Sequence, residues 1–192
     1  MAYDEFIQDL KGSTQQPSKN RHGANHHVYG GRAALTVELD ENRSGYKTVA
    51  FDGAPKSGNF VAWNKKIRFQ LTHTELPILT CLFLGMIDEL RFDYHGEANN
   101  KSLHVVRRPP NILVRVIEGT TSHTVPLVPG DSHIVGTLLL QALTSNCIGL
   151  DVAGHLAVLK STCALYKATP QAPTTPPIKT QANTPQSGTA AA

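Results

Sequence analysis

Between Arg43 and Arg68 the chain sets six cations, Arg43, Lys47, Lys56, Lys65, Lys66 and Arg68, against a single acid, Asp52. Five rings are interleaved with them: Tyr46, Phe51, Phe60, Trp63 and Phe69. Cations can follow a phosphate backbone while exposed rings stack on unpaired bases, at about 1–3 kcal/mol per stacked base. Arg107 and Arg108 add charge at the end of a later apolar stretch. The bland alternative is that most of these rings are core and that a strand face in water carries Lys and Arg anyway. Composition alone divides the two readings evenly.

Other chemistry is sparse. The sequence contains no GxSxG, Walker loop, HExxH or GxGxxG. Asp93 and His95, two apart on one strand, are the nearest thing to an acid–base pair. Same-face polar residues on an exposed sheet are far commoner than catalytic dyads, so neither an enzyme nor a cofactor is expected. His22, His26 and His27 have no carboxylate or cysteine at a ligand spacing, and no metal site is expected. Cys81, Cys147 and Cys163 form an odd set without CxxC spacing. Two of them fall in apolar, helix-like segments, which reads as buried free thiols in a reducing compartment.

The elements that must position the cations follow from periodicity. In KKIRFQL, Ile67, Phe69 and Leu71 alternate with Lys66, Arg68 and Gln70, the period of a half-buried strand with a cationic wet face. Directly after it Leu76, Leu79, Leu82 and Phe83 recur at three and four, as on a helix burying one stripe. Thr72 or Thr74 can cap that helix, and Gly85 can end it. Upstream, YGGRAALTVEL (29–39) and YKTVAF read as strands, and FVAW with KKIRFQL as one strand bent at Asn64. Downstream, LRFDYH (90–95), SLHVVRR, NILVRVIE and HTVPLV are four more strands. In the first of these, Leu90, Phe92 and Tyr94 share one face and Arg91, Asp93 and His95 the other. Asp131 or Ser132 then caps a second helix carrying Ile134, Val135, Leu138, Leu139, Ala142 and Leu143, and 154–167 suggests a third. The expected fold class is α+β, with two antiparallel sheets in a strands–helix, strands–helix order.

The chain has 192 residues, 40% hydrophobic and 17% charged, with a formal net charge of +3. That supports one core, with 1–27 as a mostly flexible N-terminal segment, 28–167 as the folded domain, and 168–192 as a Pro/Thr/Ala-rich tail too poor in large apolar residues to pack. Residues 3–10 could form one amphipathic turn. No apolar run reaches the length of a membrane span, and the acidic N-terminus resembles no leader, so a soluble cytoplasmic protein is expected.

GGRAALTVEL resembles the KGKAALSVEP motif of the Whirly family of single-stranded-DNA-binding proteins, with Arg32-Ala33-Ala34-Leu35 in matching places. Trp63 to Leu76, WNKKIRFQLTHTEL, resembles the family's YDWxKKQxFxLSxTEV. The likeness in layout covers about 28–146; Gly30 stands where the motif has lysine and Leu39 where it has proline. The family's fold is shared with kinetoplast mitochondrial RNA-binding proteins and related to that of a coactivator. The resemblance implies two crosswise-packed sheets, two helices that assemble a tetramer, and single strands running over the sheets.

The resulting expectation is a sequence-tolerant single-stranded-DNA-binding protein, serving a replicon, plasmid or phage. Its candidate contacts are Arg32, Arg43, Tyr46, Lys47, Lys56, Phe60, Trp63, Lys65, Lys66, Arg68, Arg107 and Arg108. The rivals are an RNA-binding or annealing protein on the same fold, with DNA favoured over RNA, and a phage or plasmid structural protein that binds no nucleic acid. Self-association as a homotetramer is expected through the wide apolar arc of 134–143, with Leu138 or Leu139 facing outward.

Overall fold

The computed structural model describes residues 24–147 and 149–169. The amphipathic turn at 3–10, His22 and the tail from 170 onward lie outside them.

Five strands form the first sheet: β1 (Asn25–Tyr29), β2 (Ala33–Glu41), β3 (Lys47–Ser57), β4 (Phe60–Val61) and β5 (Ile67–Gln70). All pairings are antiparallel, with β2 and β3 central, β5 on the far side of β3, and the short β4 closing a hairpin on the end of β3. The second sheet is a meander of β6 (Glu89–His95), β7 (Lys101–Arg108), β8 (Asn111–Glu118) and β9 (Thr121–Leu127). Helix α1 (Glu75–Phe83) follows the first sheet, and α2 (Pro129–Asn146) and α3 (Val152–Ala168) follow the second. Among the described residues the fold is α+β with two antiparallel sheets and three helices.

Leu35, Val37, Val49, Phe51, Ile67 and Phe69 from the first sheet meet Leu103, Val105, Val114, Val116, Val125 and Leu127 from the second in one buried cluster. Each large aliphatic or aromatic side chain buried this way contributes about 1.5–3 kcal/mol. The closest approach is at Gly53 of β3. A Cβ there would sit 3.1 Å from the Cβ of His123 and 3.2 Å from that of Val116. A glycine inside a strand marks such a place, where another backbone comes near.

Several expected boundaries change. The strand expected over 29–39 is two strands, folded where Gly30 N–H donates to Ala33 O at 2.9 Å. His26 and His27 therefore belong to the sheet, paired with Val37 and Thr36, and the folded unit begins at Asn25 rather than 28. The bent strand expected over 60–71 is broken by a 3-10 turn at Trp63–Lys65, because Lys65 N–H bonds Ala62 O and Lys66 N–H bonds Trp63 O. In β6 the alternation reverses: the register shifts between Phe92 and His95, and Tyr94 adopts φ 65°. Tyr94 is thereby thrown outward, while His95 turns in against Phe69.

Helix ends follow local chemistry. Thr72 and Glu75 form the reciprocal capping box, Thr72 N–H to Glu75 Oε2 at 2.9 Å and Glu75 N–H to Thr72 Oγ1 at 3.3 Å. Gly85, at φ 81°, closes a Schellman motif with Gly85 N–H to Leu82 O and Met86 N–H to Cys81 O. Helix α2 starts at Pro129 with no side-chain cap. Neither Asp131 nor Ser132 caps it: Asp131 instead accepts a hydrogen bond with His26 at 2.8 Å.

The outward leucines expected on α2 are not outward. Val135, Leu138, Leu139, Ala142 and Leu143 are all buried within the chain, since α2 packs on β1–β3, β8, β9 and α1 at once. Of the expected arc only Ile134 is exposed; further unpacked apolar residues sit on α3, at Val152, Val158 and Leu165, while His155, Leu159 and Cys163 of that helix are buried. Cys81 and Cys163 are buried and Cys147 is exposed, all three as free thiols. Burial pushes the Cys81 thiol up to about 11. Among the described residues no helix is long and apolar enough to cross a membrane.

Candidate nucleic-acid interface

The outer face of the first sheet is set by its register. Thr36, Asp52 and Arg68 stand in one row across β2, β3 and β5, and Glu38, Ala50 and Gln70 in the next. The cations expected to be free for phosphate on this face are therefore surrounded by acids. Arg68 Nη2 lies 2.6 Å from Glu38 Oε1 and 2.8 Å from Asp40 Oδ2, and its Nη1 lies 2.9 Å from Asp52 Oδ2. Lys66 Nζ lies 2.5 Å from the same Asp52 oxygen. Burial works against a charged guanidinium, but the bonds with Asp40 and Glu38 and the field of Asp52 outweigh it and hold the Arg68 pKa above its ordinary value. For Asp40, burial is likewise opposed, by Arg68, the Glu41 N–H and Gln70, and its pKa falls below 3.8.

Beyond this network, at one end of the sheet, the surface changes. Phe60 is 70% exposed and Tyr29 61%. Trp63 is half-buried and meets His27 edge-on at 5.9 Å, and His27 stacks near-parallel to Tyr29 at 6.4 Å. Arg32, in the β1–β2 turn, accepts on its carbonyl the Lys56 N–H at 2.9 Å, so both cations share this end with Lys65 of the 3-10 turn. None of Arg32, Lys56 and Lys65 has an ion pair among the described residues.

Of the expected contacts, the fold thus gathers Arg32, Lys56, Phe60, Trp63 and Lys65 at one sheet end, with Lys66 and Arg68 beside them in the ion network. Arg43, Tyr46 and Lys47 lie at the opposite end of β2 and β3. There Lys47 pairs with Glu41, its backbone is tied to Asn146, and Tyr46 packs edge-on against His73. Arg107 and Arg108 belong to the second sheet; Arg107 covers Gly85 and reaches Asp88 at 3.4 Å, and Arg108 is exposed. Phe51 and Phe69 are core.

Two rings of the cluster, His27 and Tyr29, were missed in the sequence. The signal was present: both flank the buried Val28 at period two. Asp93 and His95 do not form a pair. Asp93 accepts from Ser102 Oγ at 2.6 Å and Arg91 Nε at 2.8 Å, and His95 Nε2 bonds Glu75 Oε1 at 2.7 Å. Among the described residues no three His, Cys, Asp or Glu side chains group to hold a metal.

By fold and surface the chain is a two-sheet α+β protein in which Tyr29, Phe60 and Trp63 share one sheet end with Arg32, Lys56 and Lys65, cations without an ion pair among the described residues. No family model matches its sequence, and no curated protein matches it.

Proposed function

We propose that this protein binds single-stranded nucleic acid, DNA before RNA, without strong sequence preference, over the outer face of the first sheet. One observation carries the reading: Tyr29, Phe60 and Trp63 cluster with Arg32, Lys56 and Lys65, whose charges are not spent on carboxylates of the described residues. Rings supply stacking and such cations supply phosphate contacts. The reading takes the order of a sheet then a helix, twice over, as a Whirly-like arrangement with a third helix added. Self-association, in this reading, uses a second copy against the exposed face of α3 rather than α2, because Val158 and Leu165 lie two turns apart on one side.

The test is a titration of equal-length single-stranded DNA, single-stranded RNA and duplex at two salt concentrations. Single strands should bind more tightly than duplex, and affinity should fall as salt rises. Equal affinity for duplex removes stacking, and salt-independent or absent binding removes the function.

A further inference from the structure

The outer face of the first sheet holds a cleft of about 350 Å³ walled by His27 and Trp63 and lined by Thr36, Glu38, Asp52 and Lys66. That is within the range of small-molecule sites, roughly 300–1,000 Å³. The Asp52 side chain is only 3% exposed. Its Oδ2 accepts from both Lys66 and Arg68, while its Oδ1 is buried without a hydrogen-bond partner among the described residues. A buried acceptor left unmet is costly, and an incoming N–H would relieve it. The cleft therefore asks for a flat group that stacks beside Trp63, donates toward carboxylates and accepts from an ammonium.

We infer that this cleft reads guanine, a subsite that rests on the single-strand reading above and deepens it. Guanine's Watson–Crick edge presents two adjacent donors, N1–H and the N2 amino group, followed by the O6 acceptor. The donors suit the Asp52 side, where Oδ1 is unmet, and O6 suits Lys66. Adenine and cytosine put a ring acceptor beside their single amino donor, and thymine sets its one N–H between two carbonyls. Each of those edges turns lone pairs toward carboxylates. Phosphates on either side of the read base would run toward Lys65 and Lys56.

Trp63 is the only tryptophan in the chain, so its emission reports this cleft directly. Guanosine monophosphate should quench it with about tenfold higher affinity than inosine monophosphate, which lacks the N2 amino group. A single dG in an oligo-dT strand should raise affinity by a similar factor over oligo-dT alone, and Asp52→Asn should abolish that gain while oligo-dT binding persists. Should Asp52→Asn fail to fold by circular dichroism, the guanosine–inosine comparison on the wild type still decides. Equal responses to guanosine and inosine, with oligo-dT still bound, overturn the guanine subsite and leave the single-strand reading standing. Quenching by guanosine monophosphate without binding of either strand does the reverse, and no response to any of them overturns both.

Discussion

Lys66 Nζ stands 2.5 Å from Asp52 Oδ2, and Arg68 Nη1 reaches the same oxygen at 2.9 Å. The pair of cations serves a carboxylate that is almost wholly buried, and Arg68 also answers Glu38 and Asp40. Removing Arg68 takes one shared cation from three acids on one face. Breaking a fully buried pair costs about 3–5 kcal/mol, and Arg68 is 36% exposed, so Arg68→Ala should lower stability by about 2 kcal/mol. Asp40 has a depressed pKa, so its contribution is present above its ordinary value of 3.8 and is lost as pH falls through the lower folded value. Urea unfolding at pH 7 and in the acid range checks both: the wild type should lose stability below about pH 4 more steeply than Arg68→Ala. A cost under about 0.5 kcal/mol would mean that the network is a solvated face and nothing more.

His123 gives a second pH dependence of known sign. Burial lowers its pKa from 6.5, so the folded protein holds it neutral where the unfolded chain would take up a proton. Unfolded protein then binds more protons just below pH 6.5, and stability must fall as pH drops through that value toward the lower folded pKa. His123→Leu should flatten the stability curve just below pH 6.5 relative to wild type, read as the urea midpoint at each pH. An unchanged slope assigns that dependence to other groups.

Gly53→Ala should be costly although alanine is the mildest substitution. Its methyl would meet the His123 and Val116 Cβ atoms at 3.1 and 3.2 Å, and neither sheet backbone can easily give way. Overpacking of this kind costs about 1–3 kcal/mol, seen as a lower melting temperature. A neutral result would show that the two sheets can slide apart at this point.

The cations at the two ends of the first sheet should part company in binding. Arg32→Ala, Lys56→Ala and Lys65→Ala together should make the slope of log affinity against log salt shallower by up to about two units, at little cost in stability. Arg43→Ala, at the opposite end of the sheet, should leave the slope alone. The interface is misplaced if Arg43 moves the slope and the triple variant does not.

The proposed self-association makes α3 the contact to test. Val158 is 57% and Leu165 70% exposed, side by side two turns apart, whereas Leu138 and Leu139 of α2 are buried. Val158→Glu with Leu165→Glu should halve or further reduce the mass measured by light scattering at micromolar concentration. A wild-type monomer under the same conditions, or a variant of full oligomeric mass, removes this contact.

What could be read from the sequence alone was what neighbours along the chain decide. The alternation of Ile67, Phe69 and Leu71, the capping box at Thr72 and Glu75, the glycine stop at Gly85 and the third helix all depend on bonds or burial within a few residues. Even so, Pro129 displaced Asp131 as the start of α2, since proline suits the first turn and Asp131 was claimed by His26, over a hundred positions away. The charge on the sheet face could not be read at all. Asp52 was visible as a lone acid among cations, but Glu38 and Asp40 reach Arg68 only through the β2–β3–β5 register. Likewise the apolar arc of α2 looked too wide for one chain because its cover comes from both sheets and α1 together. Periodicity tells which side of an element is apolar; only the packed fold decides what lies against it.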